Sequence, residues 1–146
     1  MEITDEHGSL AYEAKGELAL IAPTWRITSG ENEVAAVRRK IFSWAPTWVI
    51  QCGSEEFQIK RKLLSWTRQY YALGGPYDGA IIQGNLWDLD FNISRNNETI
   101  ANATGKLLSL RDRHNIEIIG EGEVFAVIAM VVLHLDRRET RQHSDD

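Results

Sequence analysis

A repeat of about 22 residues constrains this chain more than any other feature. An aromatic residue or His, followed two positions later by an apolar residue or Ala, recurs at Trp25, Trp48, Tyr70, Phe91 and His114, with spacings of 21 to 23 residues. That period is too short for most helical repeats and suits two strands plus two turns. Each unit therefore reads as a hairpin. Within the units a second string recurs: Lys40, Ile41, Phe42, Ser43, Trp44, then Lys62, Leu63, Leu64, Ser65, Trp66, then Lys106, Leu107, Leu108, Ser109, Leu110. These strings are expected to be extended segments that lead through a short polar link into the next strand. Exposed aromatics can anchor to membrane interfaces or carbohydrate, but these tryptophans, like Trp25 and Trp48, recur at repeat positions and are expected in the core, and Trp87 is expected to be structural as well.

Turn chemistry divides the units. Glu6-His7-Gly8, Ser29-Gly30-Glu31, Gly74-Gly75-Pro76 and Asn96-Asn97-Glu98 separate the extended runs, and these residue types tolerate positive φ or preset a bend. β-branched and aromatic residues fill 25–28, 48–50, 57–59 and 116–119. The competing architecture is a β-sandwich in which the spacing is coincidental.

The segment 122–135 breaks the pattern, because residues 124–133 are apolar with no polar face at either the helical or the strand period. It is a buried helix or a buried strand. Length favours a helix of about 12 to 14 residues, with Glu121 and Glu123 at its positive end and Arg137 and Arg138 near its negative end. Such a helix spans roughly 20 Å, too short for a bilayer. A helix apolar on all sides must be surrounded, and a sheet curled around it would do so. The expected organisation is one domain over 1–138, followed by a flexible polar tail at 139–146.

Composition bears on chemistry mainly by exclusion. The net charge of −5 argues against charge-driven nucleic-acid binding. Cys52 has no cysteine partner in the chain, and neither a metal-type cysteine spacing nor an apolar leader is present, so a cytoplasmic protein is expected. The sequons at Asn92, Asn97 and Asn102 then read as polar turn and strand residues. His7, His114, His134 and His143 show no ligand spacing, so no metal is expected. His114 and His134 read as structural, and no nucleophile elbow, Walker loop or dinucleotide fingerprint occurs. Asp88 with Asp90, or Asp112 with Glu117, read as solvated carboxylates rather than acid/base pairs. No enzymatic activity and no cofactor are expected.

The sharper candidates are Arg38, Lys40, Lys60 and Lys62. Strand alternation puts Arg38 with Lys40 on one face and Lys60 with Lys62 on one face, so pairing of adjacent hairpins would gather a cationic patch. The competing reading is a solvated face that guards strand edges.

The Lys, apolar, apolar, Ser strings resemble the LURP-one-related family, whose wider kin are tubby C-terminal domains and phospholipid scramblases. The likeness extends through 12–16, 84–93, 101–118 and the closing Leu133, His134, Leu135, Asp136. It implies a closed β-barrel, twelve-stranded in the family and counted here as eleven, around a hydrophobic C-terminal helix. Members usually begin with an extra strand before the region matching Ile3, Thr4 and Asp5. In tubby-like relatives basic side chains on the barrel wall bind phosphoinositide headgroups. The resemblance thus implies a non-catalytic binding or scaffold protein, peripheral at an anionic phospholipid surface or docked to a protein partner. The alternatives are scramblase-like lipid handling, though the chain lacks a proline-rich region and a transmembrane span, and a barrel that binds a small ligand.

Overall fold

The computed structural model describes residues 1–4, 9–17, 22–63, 66–85, 89–108, 111–118 and 122–145, with side chains for all of these except 104–108 and 111–118. Among them are eleven strands and one helix: β1 (Glu2–Thr4), β2 (Leu10–Gly16), β3 (Thr24–Ser29), β4 (Asn32–Arg39), β5 (Thr47–Cys52), β6 (Glu55–Arg61), β7 (Gln69–Leu73), β8 (Ile81–Asn85), β9 (Asp90–Arg95), β10 (Glu98–Leu108), β11 (Arg111–Ile118) and α1 (Glu123–Ser144). The fold is mainly β. Strands β2 to β11 form a ten-stranded antiparallel sheet in sequence order. β1 pairs antiparallel with β2 and parallel with β11, matching Ile3 to Tyr12 on one side and to His114 on the other.

The 22-residue repeat maps onto this sheet. Trp25, Trp48, Tyr70, Phe91 and His114 lie on β3, β5, β7, β9 and β11, so each unit opens on an odd-numbered strand. The turns behave as their residues require: Gly30, Gly53, Gly74 and Gly75 have positive φ, and Asn96 and Asn97 stand at 53° and 65° in the β9–β10 hairpin. The link at residues 6–8 lies outside the described residues.

Alternation along β3 to β9 sends one set of side chains to a common core. Ile27, Val37, Trp48, Ile50, Ile59, Tyr70, Ile82 and Ile93 are buried there against α1, whose residues 125–133 are all buried. The expected apolar helix is therefore present, but it is 22 residues long rather than 12 to 14. Residues 139–144, expected as a tail, form its last turns. Arg137 and Arg138 consequently sit within the helix, while Arg141 and His143 occupy the final turn. The cause is local: 136–144 contains no Gly or Pro, so nothing in the sequence stops the helix when its apolar stretch ends. No helix among the described residues is long and apolar enough to cross a membrane.

Two of the three Lys, apolar, apolar, Ser strings are not strands. Residues 40–44 belong to the β4–β5 loop and 62–63 and 66 to the β6–β7 loop, whereas 106–108 complete β10. Among the described residues each of these two strings keeps one closing ladder bond, Lys40 N–H to Thr47 O and Lys62 N–H to Gln69 O, both 2.8 Å. The first loop turns on Ser43 Oγ–H donating to Ala45 O at 2.7 Å, followed by Pro46, which has no N–H to give a ladder.

Candidate functional site

The even-numbered strands β4 and β6 run the same way, so their following loops emerge at one end of the sheet. α1 delivers its C-terminal half to this end. There Asp136, 2% exposed, accepts hydrogen bonds from Arg61 Nη1 at 3.0 and 3.1 Å, from Arg68 Nη1 at 2.9 Å, and from the Tyr70 hydroxyl. Burial, and then the Asp136 charge, push the Tyr70 hydroxyl well above the usual tyrosine range. One turn later Glu139 pairs with Arg39 Nε at 3.1 Å. These contacts clasp the helix to the ends of β4, β6 and β7.

Arg39 and Arg61 thus point toward the helix, and their neighbours in sequence point away. Arg38 and Lys62 are exposed, and Lys40 and Lys60 are half-buried on the same outer surface. The register completes the arrangement. Lys40 is hydrogen-bonded across from Thr47, and Thr47 pairs with Lys60, so both lysines flank one residue in a single lateral row. Two strand spacings, about 10 Å, separate their backbones. Arg38 opposes Val49, one step along the outer face. All four predicted cations are brought to one region, and no carboxylate pairs with them among the described residues.

This region has a sharp charge polarity. Residues 34–54 and 57–77 contain seven Lys or Arg and no Asp or Glu. The acidic residues of the same hairpins, Glu31, Glu33, Glu55, Glu56 and Asp78, lie at or next to the turns of the opposite end. A chain of negative net charge therefore presents a locally cationic end.

The tryptophans correct an expectation. Trp48 is buried and Trp25 half-buried, but Trp44 and Trp66 are fully exposed, at 101% and 106%, and Phe42 is 90% exposed. They recur because they occupy equivalent loops, not because they share a core. The signal available in the sequence was Ser43 with Ala45-Pro46-Thr47, and Ser65 with Thr67, which mark turns around each Trp. Trp87 lies outside the described residues, as do the side chains of Asp88, Asp112, His114 and Glu117.

Behind the β4–β5 loop lies a cavity of about 550 Å³ bordered by Trp25, Trp48, Arg39, Lys40, Arg138 and Glu139. The Arg39 guanidinium carbon stands 5.2 Å from the Trp48 ring centre, and that of Arg138 5.4 Å from Trp25. His134 is buried in a T-shaped arrangement with Trp25, at 6.1 Å between ring centres. Its surroundings are those of a packed residue. Among the described residues no group of three His, Cys, Asp or Glu side chains is placed to hold a metal ion.

Among curated proteins and among solved structures, none matches the chain. The family model described as LURP-one-related matches residues 1–136, which takes in every strand described above and α1 as far as the Asp136 clasp. The chain belongs to the LURP-one-related family.

Proposed function

We propose that this protein is a non-catalytic binding module that meets anionic phospholipid surfaces, phosphoinositide-containing ones among them, through Arg38, Lys40, Lys60 and Lys62. In this reading the sheet closes as the family's barrel around α1. The pairing of β1 with both β2 and β11 supports that closure. The observation that carries the function is the placing of Lys40 and Lys60 on either side of Thr47, next to Arg38 and Lys62, at an end free of carboxylates on the same strands. Such a patch attracts a negatively charged membrane, each basic side chain near the surface contributing about 1 kcal/mol. On this reading the protein is peripheral at a cytoplasmic leaflet.

The test is flotation with neutral, anionic and phosphoinositide-containing vesicles at low and physiological salt. Recruitment to the charged vesicles, weakened by salt and lost when the four cations are changed to Gln, is the expected result. Undiminished binding by the quadruple variant would sink the proposal. The second reading, a small anionic ligand in the cavity beside Arg39 and Arg138, is favoured by their stacking on Trp48 and Trp25. Indifference to every vesicle, together with Trp48-dependent fluorescence changes on titrating small anions, would select it.

A further inference from the structure

We infer that the tips of the β4–β5 and β6–β7 loops enter the interfacial layer of a bilayer, anchoring through Phe42, Trp44 and Trp66. This inference rests on the membrane reading above and adds an apolar contact that a cationic face alone does not supply. Ile41 and Leu63 are each 50% exposed, and beside them the three aromatic rings lie almost wholly in water. Leaving two indoles and a phenyl ring unburied has no return in the folded chain. Each tip instead offers a large apolar body, and each Trp also carries an N–H able to stay hydrogen-bonded in the headgroup layer.

The occupant follows from charge and spacing. Both tips stand on a lysine, Lys40 and Lys62, and Lys60 and Arg38 lie directly behind them on the outer face. Loops following β4 and β6 are separated by one intervening strand, so their bases are about 10 Å apart, a spacing at which both tips reach one flat surface. Basic residues around small aromatic tips match a surface that is negative at the headgroups and apolar beneath. The two signals act together, since neither a short apolar anchor nor a few charges alone gives stable attachment.

The experiment uses the full chain and vesicles of phosphatidylcholine alone or with 30% phosphatidylserine, roughly the charge density of an anionic leaflet. Depth is read by quenching of Trp emission with lipids brominated along the acyl chain. Trp44→Phe/Trp66→Phe identifies the contribution of the tips while preserving their apolar character. Phe42→Ser/Trp44→Ser/Trp66→Ser removes the anchors, and far-UV circular dichroism verifies that it folds like the wild type. The expected result is quenching of the wild type on anionic vesicles, absent from the Phe variant, with about a tenfold loss of partitioning in the Ser variant and little change in the Phe variant. Salt-sensitive recruitment that is indifferent to the Ser substitutions and shows no quenching overturns the inference and leaves the membrane reading standing. No recruitment of the wild type overturns both. Self-association without vesicles, lost in the Ser variant, overturns it in favour of a second copy of this chain at the tips.

Discussion

Asp136 joins three side chains from two parts of the sheet to the helix, and Tyr70 is the member that senses pH. Its hydroxyl donates to Asp136 from a buried position, and ionising it would place a second negative charge beside the carboxylate. The folded chain therefore holds this proton more tightly than the unfolded chain does. Its contribution is fully present below the unfolded value near 10 and is lost as pH rises above it. Tyr70→Phe is expected to cost about 1.5 kcal/mol at neutral pH, the value of a hydrogen bond to a charged acceptor. It should also show a shallower loss of stability between pH 9 and 11 than the wild type. Urea unfolding at several pH values measures both, and parallel alkaline slopes would remove Tyr70 as the sensor. Asp136 was legible only as the last residue of a familiar string. Its partners Arg61 and Arg68 lie 75 and 68 residues away, beyond the reach of any local pattern.

At the scale of elements, hairpin pairing imposes limits that composition does not reveal. Gly84 on β8 opposes Phe91 on β9, and a Cβ there would overlap the Asp90 carbonyl oxygen and stand 2.5 Å from Phe91 Cα. The obstacles are backbone atoms, which no rotamer change can move. Gly84→Ala is expected to lower stability by about 2 to 3 kcal/mol and to loosen the β8–β9 pairing. Hydrogen exchange should report this as faster exchange at Ile82 and Ile93 than in distant β5. A neutral substitution would show that β8 can shift without cost. The elements also show where sequence patterns mislead. The string beginning Lys40 and the one beginning Lys106 are alike, yet the first is a loop and the second ends a strand, because residues 106–108 have the partners Arg113, Asp112 and Arg111 across β11. After Arg39 the first string keeps one ladder bond and turns away at Ser43.

Across the whole molecule, one continuous core links residues from nearly every strand to α1, from Ile3 through Trp48 and Ile93 to Leu133. Neither layer can bury its apolar face without the other, so sheet and helix should unfold together. Far-UV circular dichroism and the combined emission of Trp25, Trp48 and Trp87, followed in a variant with Trp44 and Trp66 changed to Phe, are expected to give coincident urea midpoints. Separate midpoints would mean that the helix or part of the sheet opens on its own. The sequence by itself determined the mainly β class, the hairpin unit, most of the turns and the burial of residues 125–133, because these depend on local periodicity and on residues suited to positive φ. It also determined which cations share a face within a strand, since alternation is a property of the strand alone. Only the tertiary structure decided that Lys40 and Lys60 flank Thr47, that Arg39 and Arg61 turn inward to carboxylates on α1, and that Trp44 and Trp66 stand in solvent. Those outcomes depend on register between strands and on partners distant in the chain, and the same side chain is core or tip according to whether a neighbouring strand is there to cover it.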